Sequence, residues 1–195
     1  MTLNARIVHI SLLVLLLLAA CSPAPVPKPR SFFRIDMPEK SFRKFENGFP
    51  YSFEYPAYAN VMIDPSPTAE PWWINIDIPR FKARIHLSYK SVDNNLHEYL
   101  DDTHKLLTKH IAKATGIRED IIVNEEENVY GIIYNIRGTG VASTCQFYVT
   151  DSTRHFLRGA LYFNVVPNND SLAPVIEFLK ADIQHMAMTL QWKSE

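Results

Sequence analysis

Alternating apolar and polar residues mark several short segments of the chain as strands. In residues 72–78, apolar side chains fall at every second position, and residues 83–89 repeat the pattern after Pro79 and Arg80 interrupt it. A period of two residues is that of a strand with one buried face, so the two segments predict a hairpin. The same reasoning predicts five further strands, at residues 51–55, 121–124, 129–137, 145–151 and 155–166.

Two other segments have the period of a helix. Residues 96–111 carry apolar residues every three or four positions, with Asp93 or Asn94 as the predicted cap and Gly116 as the predicted stop. A second helix follows the capping residues 168–171 and tolerates Pro174 in its first turn. Its apolar stripe consists of Leu172, Val175, Ile176, Leu179, Ile183, Met186 and Leu190.

The order of these elements predicts the fold class. Strands, a helix, more strands and a final helix, with hairpin-like connections in the second half, favour an α+β protein. We expect a mainly antiparallel sheet flanked by helices, in a single globular domain over residues 32–195. The element order resembles that of the Mog1/PsbP-like sandwich.

The N-terminus has the pattern of an export signal. Arg6 is its only early charged side chain, and an apolar run over residues 10–20, which includes Ser11, is too short to span a bilayer comfortably. The run ends in Leu-Ala-Ala-Cys, which resembles the lipobox of bacterial lipoproteins. We therefore assign residues 1–20 to a signal peptide and predict lipid attachment at Cys21, which anchors the chain to an envelope membrane. We expect no cofactor besides this covalent lipid.

A short tether follows the predicted anchor. Residues 22–30 hold four prolines at alternate positions, which favours an extended spacer, and we place the tether at residues 21–31. Arg30, Phe32, Phe33 and Arg34 form a basic and aromatic cluster at its junction with the domain. These residues either dock the tether onto the core, which we favour, or contact lipid headgroups or a partner protein.

Composition limits the classes of function. A formal net charge of −1 at pH 7 gives no basic surface for nucleic acid. Cys145 is the only cysteine left once Cys21 carries lipid, so no intramolecular disulfide is available. Because Cys145 lies in a predicted strand, we expect a buried and unreactive thiol.

No constellation of residues predicts catalysis or metal binding. His97 and His104 are seven residues apart, which separates them by two helical turns, and His110 falls off their face. Asp101 and Asp102 are adjacent on the helix, so their side chains diverge.

The residues of the predicted turn after the strand at 145–151 do not indicate a catalytic group either. Asp151, Ser152 and His155 could supply a nucleophile and its base, but Asp-Ser-Thr is typical of a hairpin turn. The six glycines form no phosphate-binding loop. We predict no catalytic residue and no metal site, and hence a protein that is not an enzyme.

Several strings resemble one known family. They are residues 27–39 (PKPRSFFRIDMPE), 50–56 (PYSFEYP), 81–90 (FKARIHLSYK), 150–163 (TDSTRHFLRGALYF), 169–176 (NDSLAPVI) and 191–193 (QWK). Together they resemble the gliding-motility lipoprotein GldD family, with Ser31 standing where we would expect glycine. The resemblance implies a Bacteroidota envelope lipoprotein that is required for gliding and is linked to type IX secretion. Cys21 is the only functional residue that it carries over.

Two functions remain open at this stage, besides a hydrolase acting through Ser152 or Cys145, which alanine variants at both positions would test. The first is a non-catalytic assembly or stabilising component whose partners are other gliding and type IX secretion proteins. The alternative is a periplasmic binding module for a small apolar or lipid ligand, held between sheet and helices, which the adjacent Trp72 and Trp73 suggest. Ser22 after the lipidated cysteine favours a periplasm-facing position, with inner or outer membrane undecided.

Overall fold

The computed structural model describes residues 35–166 and 168–193. The predicted site residues Cys21, Arg30, Phe32, Phe33 and Arg34 lie outside this range. Within it, the strands are β1 Phe42–Phe45, β2 Tyr51–Pro56, β3 Asn60–Ile63, β4 Ile74–Ile78, β5 Ala83–Ser91, β6 Gly116–Asn124, β7 Val129–Arg137, β8 Ser143–Thr150, β9 His155–Phe163 and β10 Gln191–Trp192. The helices are α1 Leu96–Ile111 and α2 Asn169–Met188, with a short 3₁₀ turn at Pro79–Phe81.

The strands form two antiparallel sheets. The larger has seven strands in the order β3-β4-β5-β9-β8-β7-β6, and the smaller has the order β1-β2-β10. The β4–β5 hairpin pairs Ile76 with Ile85, as the alternation predicts. The predicted α+β fold, a mainly antiparallel sheet flanked by helices, is confirmed.

The main hydrophobic core lies on one face of the large sheet. The apolar face of the β4–β5 hairpin packs there with the inward side chains of β7, β8 and β9. Helix α2 covers this face with its predicted stripe, including Leu179 and Ile183, both fully buried. Phe45, Tyr51 and Phe53 bring the small sheet into the same core through stacked rings.

Helix α1 lies against the opposite face, which we call the outer face. Leu107 anchors it in a smaller cluster with Tyr134, Ile136 and Val141. Burial of this cluster removes far less apolar surface than burial of the main core, so α1 is the less firmly held helix. The rest of the outer face is polar or aromatic and is only partly covered.

Several boundaries differ from the prediction. Gly116 does not end α1, which stops at Ile111, and instead begins the long strand β6. Asn95, not Asp93 or Asn94, directly precedes α1, and its carbonyl accepts the N–H of Glu98 at 3.0 Å. Pro174 falls in the second turn of α2.

Strand β4 begins later than predicted. Trp72 has a φ of 70° and its carbonyl accepts the hydroxyl of Tyr51 at 2.6 Å, so it belongs to a turn. The sequence reasoning also missed the short strands β1, β3 and β10, which have too few residues for a recognisable period.

Candidate ligand-binding cleft

The outer face of the large sheet carries a row of side chains from four neighbouring strands. Asn75, His86, Ala160 and Gln146 are successive partners in the register of β4, β5, β9 and β8. They point away from the main core because their strand neighbours, such as Ile74, occupy it. Ala160 is the smallest of the four, so the floor is low at its centre.

Helix α1 leaves an open cleft above the middle of this row, over His86 and Ala160, which we call the α1 cleft. The cleft has a volume of about 460 Å³, and its lining runs from the segment just before β4 to the third turn of α1. Its walls are largely aromatic, from Trp73, Tyr99, Phe156 and Tyr162. The indole N–H of Trp73 donates to the carbonyl of Tyr89 at 2.9 Å, which fixes the orientation of that wall.

Arg158 supplies the positive charge of the cleft floor. Its Nη2 donates to Oε1 of Gln146 at 2.7 Å. Its Nε is shielded from solvent and has no hydrogen-bond partner among the described residues. Burial lowers the pKa of Arg158, and Tyr162 opposes that shift only in part. The guanidinium remains charged at neutral pH and forms no ion pair within the described chain.

Gln146 and Asn75 are also incompletely satisfied. Each residue is 1% exposed, and Nε2 of Gln146 and Oδ1 of Asn75 have no hydrogen-bond partner among the described residues. Unpartnered polar atoms are rare in protein interiors because each one costs about 1–3 kcal/mol. The outer face therefore concentrates unmet polar groups, with Gln146 directly bonded to the arginine on the cleft floor.

Two charged groups at the rim, Lys90 and Asp102, are already in ion pairs. Lys90 pairs with Glu70 and lies over the rings of Trp73 and Tyr99, 5.6 and 5.9 Å from their centroids. Asp102 pairs with Lys105 at 3.0 Å on the surface of α1. These pairs leave Arg158 as the one cation lining the cleft without a carboxylate partner among the described residues.

The turn between β8 and β9 is built by Asp151. Its Oδ1 accepts the backbone N–H groups of Thr153, Arg154 and His155 at 3.0, 2.8 and 2.8 Å. Burial raises the pKa of Asp151, but these backbone bonds outweigh it and hold the pKa below the usual value. Ser152 has a φ of 68°, which is a turn conformation. The residues behave as the predicted hairpin turn.

His155 and Cys145 are packing residues in this structure. His155 bonds through Nδ1 to the hydroxyl of Tyr89 at 2.8 Å and stacks on Trp192 at 5.0 Å between ring centroids. Cys145 is fully buried, and burial raises the pKa of its thiol to about 12.

The histidines predicted not to bind metal lie apart from one another. His97 and His104 are both exposed, and His104 contacts the ring of Tyr134 edge-on. Across residues 35–166 and 168–193, no group of three or more His, Cys, Asp or Glu side chains is placed to hold a metal ion.

Comparison with known families decides the relationship of the chain. The family model for the gliding motility lipoprotein GldD matches residues 22–192, nearly the whole length after the predicted signal. The chain belongs to the GldD family. It is therefore a gliding motility lipoprotein associated with the cell envelope, in a family named for motility and not for an enzymatic activity.

Other comparisons add less to the GldD assignment. A search of curated proteins finds no match. Among solved structures, the chain is similar to the solution structure of cyanobacterial PsbP (CyanoP) from Synechocystis sp. PCC 6803, at 9% identity and a TM-score of 0.47 over 89% of this chain and 98% of that one. Neither described helix is long and apolar enough to cross a membrane.

The structure assigns different places to the two tryptophans that suggested a ligand site. Trp73 forms a wall of the α1 cleft, whereas Trp72 is 44% exposed and packs edge-on against Phe49, away from α1. Sequence reasoning missed Arg158. Its signal was a lone arginine within the otherwise apolar residues 156–163 of β9, and alternation along the strand places that arginine on the outer face.

Proposed function

We propose that this GldD-family chain is a non-catalytic assembly or stabilising component of the gliding apparatus, linked to type IX secretion. Lipid on Cys21 would hold the domain at an envelope membrane, facing the periplasm. The family match supports a role in motility, and the resemblance of the sequence suggests the secretion link. The protein would act through contacts with other gliding and secretion proteins.

An exposed apolar patch on the edge of the large sheet carries this proposal. Ile121 and Val123 on β6 are 80% and 52% exposed, and Tyr130 on the neighbouring strand β7 pairs with Val123 in register. We call these three residues the β6 patch. Apolar side chains grouped on one face mark protein interfaces more often than isolated ones do.

The patch adjoins an open sheet edge. β6 is nine residues long, is the last strand in its sheet and pairs with β7 alone among the described strands. An edge strand of this length can pair with a strand from another protein, while the neighbouring side chains set specificity. Edge and patch together therefore form a surface suited to a protein partner.

A matched pair of variants tests the proposal. Ile121→Glu charges the β6 patch, whereas Ile63→Glu charges an equally exposed isoleucine on β3, at the opposite edge of the sheet. We expect Ile121→Glu to abolish colony spreading and co-purification with secretion components at normal protein levels, and Ile63→Glu to preserve both. A monomer in crosslinked membranes, with normal spreading in both variants, would contradict the proposal.

The secretion link has its own test. We expect a clean deletion strain to lose both spreading and type IX cargo from the medium. Loss of spreading with secretion intact would remove the link to secretion while keeping the role in gliding.

A second candidate function is a periplasmic binding module for a small apolar or lipid ligand. The α1 cleft favours it, because its volume of about 460 Å³ and aromatic walls are typical of small-molecule sites. Native mass spectrometry of the protein extracted from its own membranes should detect a retained small molecule. A spectrum showing only the lipidated chain would count against this candidate.

A further inference from the structure

We propose that the α1 cleft binds a small molecule with one carboxylate on an apolar or aromatic body, and that Arg158 pairs with the carboxylate. The inference rests on the second candidate function, since it specifies the ligand of the same cleft. It is carried by the unpaired guanidinium on the cleft floor and by the aromatic side chains above it.

The hydrogen bonds of Arg158 leave its Nε donor without an acceptor among the described residues. Nη2 is held by Gln146 at 2.7 Å, while Nε is buried and unpartnered. A carboxylate can accept from Nε and from a neighbouring N–H of the same planar fork. Such a bond satisfies the buried Nε donor and neutralises a charge that has no ion-pair partner among the described residues.

Gln146 makes the arrangement rigid. Because its Oε1 accepts from Arg158, its amide is oriented and the guanidinium is restrained in one position. Nε2 of Gln146, also buried and unpartnered, is a second donor beside the same arginine. Two adjacent donors without acceptors favour a ligand group that accepts several hydrogen bonds. A carboxylate has two acceptor oxygens, whereas an alkyl or aryl group has none.

The rim restricts the charge of the ligand. Asp64 and Asp102 line the mouth, and Lys90 is already paired with Glu70. A dianion such as a phosphate monoester would meet these carboxylates with only one unpaired arginine to balance it. A single carboxylate matches the available charge.

The walls define the rest of the ligand. Trp73, Tyr99, Phe156 and Tyr162 offer ring faces and edges to an apolar body. The cleft volume of about 460 Å³ lies toward the lower end of the range for small-molecule sites, about 300–1,000 Å³. The site therefore suits an aryl or short acyl carboxylate.

Two probe pairs test the inference on the lipidated protein in detergent. Indole-3-acetate and indole-3-acetamide differ only in charge on an aromatic body, and decanoate and decanamide do the same on an acyl chain. Isothermal titration calorimetry gives the affinities, and the NMR resonance of the Trp73 indole N–H reports whether binding occurs in the cleft. We expect at least one acid to bind tenfold or more tightly than its amide and to shift that resonance.

Variants assign the preference to the arginine. Arg158→Gln should reduce the acid-to-amide ratio to about one, and Arg158→Lys, which retains the positive charge, should preserve part of it. Arg154→Gln, an exposed arginine in the preceding turn, is the matched control and should leave the ratio unchanged. Circular dichroism checks that each variant is folded.

The possible failures are distinguishable. Equal binding of acid and amide would overturn the role of Arg158 while leaving a ligand-binding cleft. Absence of binding by all four probes, with the Trp73 resonance unmoved, would overturn the inference. A preference for the acid that survives Arg158→Gln would place the anion elsewhere.

Discussion

The ammonium group of Lys40, in the segment before β1, binds the buried carboxylate of Asp182 on helix α2. Nζ of Lys40 also donates to the carbonyl of Phe178 at 2.8 Å and lies 3.5 Å from the centroid of its ring. The hydroxyl of Tyr58 donates to the second oxygen of Asp182. The carboxylate has no exposed surface, so both of its oxygens depend on these partners. The contact fastens the beginning of the described domain to its last helix.

Removing the charge of Asp182 should destabilise the domain. Loss of a hydrogen-bond partner by charged or buried groups costs about 2–3 kcal/mol, and we expect Asp182→Ala to fall in that range because the Lys40 side chain left behind is 34% exposed. Tyr58→Phe removes one hydrogen bond and should cost about 1–2 kcal/mol. Glu177→Ala, on the exposed side of the same helix, is the control and should change the free energy of unfolding in urea little. Similar values for all three variants would contradict this account.

Gly159 on β9 should not tolerate a methyl group. A Cβ at this position would lie 2.1 Å from Cε1 and 2.3 Å from Cζ of the buried Phe147 ring. Forcing extra volume into a packed core costs about 1–3 kcal/mol, so Gly159→Ala should lower the melting temperature. Gly116→Ala is the control, because nothing lies within 4 Å of the added atom. Equal melting temperatures would show that the ring moves aside freely.

Cys145 should be inert in the folded protein. Burial raises the pKa of its thiol to about 12, so neither thiolate nor access is available to a reagent at pH 8. We expect iodoacetamide to label Cys145 only in denaturant. We also expect colony spreading to be unchanged in each of the single variants Cys145→Ala and Ser152→Ala. Loss of spreading in either variant at normal protein levels would revive a catalytic role.

His86 should make stability depend on pH. Burial, and to a lesser extent the nearby Arg84, lowers the pKa of His86 below the usual histidine value of 6.5. Below about pH 6.5, His86 therefore binds a proton in the unfolded chain but not in the folded one. The free energy of unfolding then decreases as the pH drops toward the pKa of the folded state. We expect His86→Gln to weaken this loss between pH 7 and pH 5. His104→Gln, at an exposed site, provides the comparison, and an identical slope in the two variants would contradict the effect.

Cys21 should determine where the protein resides. Cys21→Ser removes the only predicted lipid attachment point, and without acyl chains the domain has no anchor in the predicted scheme. We expect the variant to leave the membrane fraction and to fail to restore spreading in a deletion strain. Retention in washed membranes would indicate a second attachment, for which Arg30 and Phe32 would be the first residues to test.

Sequence reasoning succeeded where a pattern repeats over enough residues. The β4–β5 hairpin and the stripe of α2 each involve several apolar positions in register, and both were predicted. The prediction that Gly116 ends α1 was wrong, because a glycine after a helix and a glycine at the start of a strand look alike in the sequence. Only the pairing of the strand with its neighbour distinguishes them. The prediction that Trp72 belongs to the strand was wrong, because its turn depends on a hydrogen bond from Tyr51 that only the tertiary structure supplies.

The cleft could be anticipated only in outline. Trp73 indicated aromatic surface between sheet and helix, but the importance of Arg158 depends on its strand neighbours. Gln146 reaches it from β8, and Ala160 leaves room beside it, through pairings that the sequence does not specify. A lone arginine in an apolar strand indicates a binding site only when the structure shows that it has no ion-pair partner.

In the large sheet, strand β9 lies between β5 and β8. In the small sheet, β10 is the last strand and pairs Gln191 with Ser52 of β2. Neither sheet can close until the last part of the chain is available, which gives the fold a large share of contacts between distant segments. The predicted N-terminal export signal would send the first residues across the membrane first. We therefore expect the emerging chain to stay open enough to be threaded, and the domain to close only after its final strands have crossed.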